Sequence, residues 1–562
     1  MTTFPERLKA LHSQMTDRAA VTLQFSGRDD LPITYNQLLC GANAYAQALE
    51  HESIQPGEVV VLILQHGEDL VYAFWGANLQ GAIPSIMPFL TEKLSPERYK
   101  ADLSALISVT KPAAIVTYPE FEAEVRTALQ GKSSVRSVVV TDRIGAQVDI
   151  DFSSSKGFQR KSEDIVLLQH SSGTTGLQKG VALSHQAVFN QLNSYSKSLA
   201  IIEADVIVSW LPLYHDMGLI AGFLMPILSG IPLVIMSPFD WVRAPYKLLQ
   251  SISKYQGTLT WLPNFAYNFC AQKIRDRHIE GVDLSSLRAV INCSEPVRWE
   301  SHVAFYERFK GHSLKFEALQ TSYAMAENVF GVTQSQLGRV PVVDEIDREA
   351  FMVDRVAKSP LEGRFSMKML SSGKPLENVK VKVVDGNGNE LPERLIGELA
   401  LRSDCMLTGY FNRPDLTEKV FRDGWYLTGD YGYISNGEVF VSGRKKDMII
   451  VGGKNIYPQD LEALTYEVSG VHAGRSVAFG LFDERQGTED VVVIAEVDSE
   501  DADEQQKIAD AIRLHVTKNS AIALRYVKVV GPKWILKTSS GKTARAANKK
   551  KFLLELQENT EM

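Results

Sequence analysis

Cysteine is scarce in this chain, which has four cysteines among its 562 residues. Cys40, Cys270, Cys293 and Cys405 lie far apart in the sequence, and no CxxC pair occurs. This pattern argues against a zinc site and against a disulfide framework. Isolated cysteines suit a reducing compartment, so we expect a cytoplasmic protein.

Long apolar runs and long runs of like charge are also lacking. No apolar run approaches the roughly 18 residues of a membrane span, and the first residues, MTTFPERLKALHSQ, lack the basic-then-apolar order of a signal peptide. The net charge of -7 is modest, and we interpret the basic triplet at residues 549–551 as a solvated helix face. We therefore expect a soluble protein without membrane insertion and without a nucleic-acid partner.

The order of strand-like and helical patterns predicts an α/β fold. At roughly 150 residues per domain, the length predicts three or four units. From about Tyr35, strand and helix patterns alternate, and the rhythm restarts near Val206, which predicts two doubly wound α/β subdomains with parallel sheets. Short strands with tight turns after Gly373 predict a small β-barrel near residues 368–440. We predict a large region of residues 1–445 and a small, mobile α+β domain of residues 446–562.

A glycine-rich stretch at residues 171–180, SSGTTGLQKG, has the composition of an anion-binding loop. Glycines let successive backbone N–H groups converge on an anion, and hydroxyls and a lysine add donors, so a polyphosphate is the expected ligand. Apolar residues on both sides predict two strands, with a helix beginning only after Ser184. A Walker-type loop would instead run straight into a helix. The alternative is a flexible surface hairpin in which Ser, Thr and Gly serve the turn.

Further motifs follow this loop along nearly the whole chain. They are LPLYHDMGL at 211–219, NCSEP at 292–296, TSYAMAE at 321–327, YLTGD at 426–430, GRKKD at 443–447 and KTSSGK at 537–542. In order and spacing, the loop and these motifs resemble the adenylate-forming superfamily of acyl-CoA synthetases, peptide-synthetase adenylation domains, luciferases and fatty acyl-AMP ligases. The resemblance is greatest to the fatty acyl-AMP ligases.

The resemblance implies an ATP site made from most of these motifs. The residues implied are Ser171, Ser172, Gly173, Thr174, Thr175, Gly176, Lys179, Ser294, Glu295, Pro296, Tyr323, Ala324, Asp430, Arg444 and Lys542. By resemblance, the turn at 294–296 lies against adenine, and Asp430 and Arg444 bind the ribose hydroxyls. Ala324 replaces the usual glycine of its motif, which leaves the geometry of that turn open.

The resemblance also implies roles in catalysis. Glu327 would hold magnesium on the triphosphate, since this hard cation requires carboxylate oxygen. Lys542 would reach the reacting carboxylate and the α-phosphate, and Lys446 would be the hinge of the small domain. His215 is a third catalytic candidate, although a His-Asp pair of this kind is more often structural.

Candidate residues for an acyl pocket are apolar, aromatic or amide side chains near strand ends. They are Trp210, Met217, Asn264, Phe265 and Tyr267. Most of them could equally belong to the hydrophobic core.

The stretch at residues 332–370 bears on the acyl acceptor. An unstructured loop of that length is unusual in a compact domain, and the stretch resembles the insertion of fatty acyl-AMP ligases, which favour a carrier-protein pantetheine over coenzyme A. The alternative is a lineage-specific surface loop. We expect activation of a fatty or related carboxylic acid by ATP and magnesium, with release of pyrophosphate, followed by transfer to the phosphopantetheine thiol of an acyl carrier protein. A coenzyme A ligase and an amino-acid-activating domain are the alternatives.

Overall fold

A computed structural model describes residues 2–89, 96–129, 134–145, 149, 151–152, 154–171, 179–451, 454–472, 474–483, 488–520, 522–538 and 541–561. Most of the predicted phosphate loop lies outside these residues. This part comprises Ser172, Gly173, Thr174, Thr175 and Gly176.

The N-terminal α/β subdomain alternates strands and helices. Its elements are α1 (Phe4–Met15), β1 (Ala19–Gln24), β2 (Leu31–Thr34), α2 (Tyr35–His51), β3 (Val59–Ile63), α3 (Glu68–Gln80), β4 (Ile83–Ile86), α4 (Pro96–Thr110), β5 (Ala114–Thr117), α5 (Glu122–Ala128) and β6 (Ser137–Val140). Helices α1 and α2 both begin at a capping box, formed by Thr3 with Glu6 and by Thr34 with Gln37. Strand β3, VVVLI, is buried along its whole length, as expected for a central strand covered on both faces.

The second stretch repeats this alternation. Its elements are β7 (Ile165–Ser171), β8 (Lys179–Ser184), α6 (His185–Ser198), β9 (Ile207–Ser209), α7 (Met225–Ser229), β10 (Leu233–Met236), α8 (Pro238–Arg243), α9 (Tyr246–Tyr255), β11 (Leu259–Leu262), α10 (Asn264–Lys273), β12 (Ala289–Asn292), α11 (Trp299–Phe309), β13 (Leu319–Ala324) and β14 (Gly331–Gln334). A π-helical segment, Met217–Leu224, leads into α7. As predicted, β7 and β8 flank the glycine-rich loop, and the Ser184 side chain caps α6 by accepting a hydrogen bond from the Ala187 N–H.

Short strands dominate the rest of the large region. They are β15 (Val343–Asp347), β16 (Ser366–Leu370), β17 (Lys374–Pro375), β18 (Val379–Val384), β19 (Gly397–Ser403), β20 (Gly409–Tyr410), β21 (Phe421–Arg422), β22 (Trp425–Ser435) and β23 (Glu438–Arg444), with one helix, α12 (Pro414–Val420), before β21. Strands β18, β19, β22, β21 and β23 form a five-stranded antiparallel sheet where the barrel was predicted.

The C-terminal α+β domain begins after β23. Its elements are β24 (Ile449–Val451), β25 (Lys454–Ile456), α13 (Pro458–Tyr466), β26 (Ser476–Asp483), β27 (Thr488–Glu496), α14 (Ala502–Ser520), β28 (Leu524–Val530) and α15 (Arg545–Glu561). Strands β26, β27 and β28 form a three-stranded sheet, and its apolar residues pack with those of α13 and α14 into a separate core.

Two large sheets carry the α/β architecture. The seven-stranded sheet has the order β20-β8-β7-β4-β3-β5-β6 and is parallel from β7 to β6. The nine-stranded sheet has the order β17-β14-β13-β12-β11-β9-β10-β1-β2 and is parallel from β13 to β1. The predicted α/β fold class is confirmed.

The predicted insertion begins later than residue 332. Residues 331–334 form β14, which pairs with β13 and β17 and therefore belongs to the nine-stranded sheet. The inserted structure is the antiparallel hairpin of β15 and β16, with a π-helical turn, Ala350–Asp354, between its strands.

The structure also bears on the scarce cysteines and on the lack of long apolar runs. All four cysteines are buried, and none of them is in a disulfide bond. Within the described part of the chain, no helix combines the length and the apolar character needed to cross a membrane.

Candidate active site

A cavity of about 1920 Å³ lies between the large region and the small domain. It opens beyond the carboxyl ends of parallel strands in the nine-stranded sheet, where ligands bind in folds of this type. The cavity brings together residues that are far apart in the sequence. Its lining includes Trp241, Asn264, Phe265, Ser294, Glu295, Pro296, Tyr323, Ala324, Asp430, Arg444 and Lys542.

The turn predicted to lie against adenine follows β12. Ser294 has a left-handed backbone, with φ of +70°, an uncommon conformation for a residue other than glycine. The Asn264 side-chain oxygen Oδ1 accepts hydrogen bonds from the Asn292 side chain at 2.9 Å and from the Arg298 N–H at 3.1 Å. The Glu295 carboxylate accepts from the Phe265 N–H at 2.9 Å. The start of α10 therefore fixes this turn at the cavity wall.

The predicted ribose-binding residues form one hydrogen-bonded group. Asp430 and Arg444 are directly opposite each other in the antiparallel pair of β22 and β23, and their side chains approach to 3.6 Å. The Tyr323 hydroxyl donates to the Asp430 carboxylate at 2.6 Å. Strand pairing thus holds a carboxylate, a guanidinium and a phenol together at the cavity.

The tail lysine lies close to the His-Asp pair of the large region. Lys542 follows a tight turn, in which Gly541 has φ of +83° and its N–H donates to the Thr538 carbonyl at 2.9 Å. Burial and the positive charge of Lys542 lower the pKa of His215 to about 3. Burial raises the pKa of Asp216, and Lys542 opposes that rise. His215 is therefore neutral near pH 7, and its Nε2 is buried without a hydrogen-bond partner.

The predicted magnesium ligand is a buried carboxylate. Glu327 lies in a short 3₁₀ helix, Ala326–Asn328, and is 9% exposed. The Tyr410 hydroxyl donates to its Oε1 at 2.8 Å. Burial raises the pKa of Glu327, and the Tyr410 hydrogen bond opposes that rise. The Lys179 ammonium lies 4.6 Å from the centroid of the Tyr410 ring, so both charged side chains contact one tyrosine.

The departure at Ala324 does not disturb the turn before Glu327. Ala324 is part of strand β13 and pairs with Gly331 in β14. Extended backbone accepts alanine as readily as glycine. The residue with positive φ in this region is Val329, which follows the 3₁₀ helix of Glu327 and has φ of +63°.

Aromatic rings fill the region of the predicted acyl pocket. Trp210 and Trp241 are buried and stacked, with ring centroids 3.6 Å apart and an interplanar angle of 9°. Phe265 lies edge-on to both, and Trp241 and Phe265 line the cavity. Met217 is buried, and its sulfur contacts the Ser294 hydroxyl at 3.8 Å.

Tyr267, another residue predicted for the acyl pocket, packs in the core and is not among the residues that line the cavity. This ring is fully buried and stacks on His302 of α11. Its hydroxyl donates to the Val290 carbonyl in β12 at 2.9 Å. Tyr267 faces this way because it lies two residues beyond Phe265 on α10, on another side of the helix.

Two residues that contact the site were missed in the sequence. Trp241 follows strand β10, and its place at a strand end was a usable signal. Tyr410 carried no such signal, since its contacts with Glu327 and Lys179 arise from the pairing of β20 with β8.

A model of the family described as AMP-binding enzyme matches residues 9–411. The chain belongs to the AMP-binding enzyme family. Among curated proteins, the medium-chain-fatty-acid–[acyl-carrier-protein] ligase JamA of Moorena producens is 29% identical over 563 residues, which cover 96% of this chain and 93% of the relative. The long-chain-fatty-acid–AMP ligase of Mycobacterium bovis is 29% identical over 577 residues, covering 97% and 96%.

Solved structures of AMP-binding enzymes share the fold. One, from a study of fatty acyl-adenylate ligases from E. coli and L. pneumophila, has a TM-score of 0.89 and 26% identity, covering 100% of this chain and 98% of that chain. The fatty acyl-adenylate ligase from L. pneumophila in complex with acyl adenylate and pyrophosphate has a TM-score of 0.73 and 28% identity, covering 98% and 96%. The predicted adenylate-forming superfamily is confirmed, and the chain is an enzyme.

The predicted hinge lies between the two parts of this AMP-binding enzyme. Lys446 occupies a turn after β23, in which the Asp447 N–H donates to the Arg444 carbonyl at 3.1 Å. Burial, together with the positive charge of Arg444, lowers the pKa of Lys446 to about 8. Its role as a hinge stays a prediction.

Proposed function

We propose that this enzyme activates a fatty or related carboxylic acid with ATP, forming an acyl adenylate and pyrophosphate, and then transfers the acyl group to the phosphopantetheine thiol of an acyl carrier protein. The observation that carries the proposal is the single cavity that combines the turn at 294–296, the Asp430–Arg444 pair and Lys542. The relatives named as fatty-acid–AMP and fatty-acid–[acyl-carrier-protein] ligases support the same reaction.

The chemistry of adenylation explains why lysines surround the site. The substrate carboxylate must approach the α-phosphate, and the two anions repel each other until positive charge screens them. Lys542, on the small domain, would screen the carboxylate and the α-phosphate. Lys179, at the start of β8, would screen the departing pyrophosphate together with the loop after β7. The carboxylate oxygen attacks the phosphorus directly, so no side-chain nucleophile is required.

The protein groups at the cavity fit the other parts of ATP. The turn at 294–296 would lie against the adenine ring, and the Asp430 carboxylate would accept hydrogen bonds from the ribose hydroxyls. His215, neutral and with a free Nε2, would contact the substrate beside Lys542. A role as general base is not needed, because a carboxylate at pH 7 already carries its charge.

Magnesium fits Glu327. Within the described residues, no group of three or more His, Cys, Asp or Glu side chains could hold a metal ion. Magnesium bound to a nucleotide takes one or two protein carboxylates plus phosphate oxygens, so one buried carboxylate suffices. The Tyr410 hydroxyl donates to Oε1 of Glu327, and the carboxylate would hold the cation. When bound, magnesium would neutralise charge on the triphosphate.

The cavity wall favours an apolar acid over an amino acid. An amino-acid-activating enzyme needs an acidic side chain for the substrate ammonium. At the end of β10 the residues lining the cavity are Trp241 and Val242. The neighbouring Asp240 acts instead on His66, where its charge opposes the lowering of the His66 pKa by burial.

Contacts of the insertion with the small domain support a carrier protein as acceptor. Phe351 packs on Tyr457 with ring centroids 5.7 Å apart, and Met352 packs against the core of the small domain. The Arg355 guanidinium donates to the Asn455 side chain at 3.0 Å, and Arg348 donates to the Asn519 carbonyl. These contacts would restrict how the small domain docks in the second step, which we expect to disfavour free coenzyme A as acceptor.

The proposal is tested by supplying substrates and identifying products. The enzyme is incubated with ATP, magnesium and fatty acids of graded chain length, and pyrophosphate and acyl-AMP are measured. Coenzyme A or phosphopantetheinylated carrier protein is then added, and the thioester is identified by mass. We expect acyl-AMP with at least one acid and acyl-carrier protein as the main thioester, with carrier protein lacking phosphopantetheine as the control. Acyl-CoA formation as fast as adenylation would contradict the proposed acceptor, and absence of acyl-AMP with every acid would contradict the proposed activation.

A further inference from the structure

Tyr410 contacts two charged residues of opposite sign. Its hydroxyl donates to Oε1 of Glu327 at 2.8 Å and lies 3.0 Å from the Tyr426 hydroxyl. The face of its ring lies 4.6 Å from the Lys179 ammonium. Tyr410 is 4% exposed and Glu327 is 9% exposed, so the hydrogen bond between them is shielded from water.

The protons of these hydroxyls can be assigned from the partners. The Glu327 carboxylate can only accept, so the Tyr410 proton points to Glu327. The Tyr426 hydroxyl must then donate to the Tyr410 oxygen. A chain of two hydrogen bonds therefore ends on the carboxylate, and each bond polarises the next.

Strand pairing explains why this tyrosine reaches both charges. In the antiparallel pair of β20 and β8, Tyr410 is opposite Val181. Lys179 is two residues before Val181 and is therefore the diagonal neighbour of Tyr410 on the same face of the sheet. On the other side, the Leu407 N–H donates to the Glu327 carbonyl at 2.8 Å, so the segment before β20 is tied to the 3₁₀ helix of Glu327.

The backbone at Tyr410 is itself held. Its N–H donates to the Thr417 hydroxyl at 2.9 Å, and the next residue, Phe411, donates its N–H to the Gly180 carbonyl at 2.8 Å. The ring thus has little freedom to turn away from its two partners.

The charge of Lys179 opposes the rise in the Glu327 pKa, but the two side chains form no direct ion pair. Among the ion pairs of the described residues, with nitrogen and oxygen within 4.0 Å, none joins these two side chains. The ammonium interacts with the face of the Tyr410 ring, while the carboxylate interacts with the hydroxyl at its edge. Each charge therefore remains available to a ligand that needs both.

We propose that Tyr410 is a positioning residue that holds the Glu327 carboxylate and the Lys179 ammonium at a fixed separation for a nucleotide triphosphate and its divalent cation. The inference rests on the proposed ATP-dependent function. The hydroxyl orients the carboxylate toward the cation, and the ring orients the ammonium toward the phosphate oxygens. Tyr410 does not touch the reacting atoms, so it acts only through its two partners.

Two substitutions separate these two contacts. Tyr410→Phe keeps the ring and removes the hydroxyl, whereas Tyr410→Leu removes both. Tyr433→Phe is the matched control, because Tyr433 is also buried and its hydroxyl donates to a carboxylate, Asp344, at 2.9 Å, outside the candidate site. ATP binding to each full-length protein is measured by calorimetry without magnesium and over a series of magnesium concentrations.

For Tyr410→Phe we expect the ATP affinity without magnesium to stay within about twofold of that of the unmodified protein. The apparent magnesium affinity should become about 10-fold weaker, because the variant lacks the hydroxyl that orients the metal ligand. For Tyr410→Leu we expect ATP affinity without magnesium to fall as well. Tyr433→Phe should behave as the unmodified protein.

Two outcomes would overturn the proposal on folded protein, as judged by circular dichroism and melting temperature. One is an unchanged magnesium dependence in Tyr410→Phe, and the other is an equal loss in Tyr433→Phe. If one Tyr410 variant does not fold, the other still decides, since each must alter the magnesium dependence. Failure of the unmodified protein to bind ATP at any magnesium concentration would instead contradict the proposed function.

Discussion

At the scale of single residues, Lys542 offers the sharpest test of the first half-reaction. Lys542→Ala should lower ATP-dependent pyrophosphate release by about 10² to 10³, because a positioned charge opposite developing negative charge is lost. Transfer from chemically supplied acyl-AMP should continue, since the adenylate already exists in that step. Both rates are measured on the same preparation.

Lys518→Ala is a suitable control for Lys542→Ala. Lys518 is an exposed lysine on α14 of the same domain. Its loss changes the net charge equally, without touching the cavity. Pyrophosphate release by a folded Lys542→Ala protein at the rate of this control would show that Lys542 serves only the turn before α15.

The motifs indicate which residues belong to the site, but they do not show the strand pairing that joins those residues. Asp430 and Arg444 are assigned together by resemblance, and the structure pairs them directly in β22 and β23. The sequence does not show which side of α10 faces the cavity, and of the two aromatic residues predicted there Phe265 lines it and Tyr267 does not. Tyr410 could not be predicted. Glu327 lies 83 residues away in the sequence, and Lys179 lies on β8, which becomes a neighbour of β20 only in the folded chain. The roles of the site residues stay predictions until they are tested.

At the scale of elements, the insertion hairpin connects the two parts of the chain. Two residues of the large region bind the hairpin, since the Tyr433 hydroxyl and Arg394 both contact Asp344 of β15. Toward the small domain, Arg355 and Arg348 of the hairpin donate hydrogen bonds to that domain. The hairpin thus contacts both the large region and the small domain, and it can limit their relative movement.

Loss of the contacts between the hairpin and the small domain should change the acceptor preference. In the double variant Arg348→Ala with Arg355→Ala, two hydrogen bonds of about 1 kcal/mol each are removed, so the freed small domain should raise acyl-CoA formation by up to about 30-fold. Adenylation should change little. Thioester products are quantified by mass with coenzyme A as acceptor.

Arg364→Ala serves as the matched control for the double variant. Arg364 lies in the same hairpin, and its ion pairs are with Asp347 and Glu349 of the insertion itself. If this control and the double variant raised acyl-CoA formation equally, contact with the small domain would not be the cause.

The sequence predicted the elements of the α/β core better than the insertion. Apolar runs such as VVVLI at β3 indicate buried parallel strands whatever their partners. The start of the insertion was misplaced, because residues 332–334 carry no strong strand pattern and reveal their sheet only by pairing with β13. Pairing between distant segments is a property of the folded chain.

At the scale of the whole molecule, the small domain is docked with Lys542 at the cavity. A salt bridge joins the two parts across it, from the Arg298 guanidinium beside the turn at 294–296 to Asp460 of α13, at 2.8 Å. Both side chains are partly exposed, so this pair contributes at most about 1 kcal/mol. This docking places Lys542 at the cavity, and transfer to the acceptor would require the small domain to move.

Release requires a point at which the backbone rotates, and Lys446 is the residue proposed for it. Lys446→Pro fixes φ and removes the N–H, so the small domain should remain in one arrangement. Since the observed arrangement places Lys542 at the site, adenylation should survive in this variant. Transfer of the acyl group to carrier protein should fall by on the order of 10²-fold, because the acceptor is misplaced.

Lys446→Ala is the control for Lys446→Pro. It removes the side chain but leaves the backbone free, and it should retain both half-reactions to a similar extent. The two rates are measured separately, by pyrophosphate release and by thioester formation from supplied acyl-AMP. Equal loss of both in Lys446→Pro would indicate misfolding, and equal retention of both would show that rotation occurs elsewhere in the turn after β23.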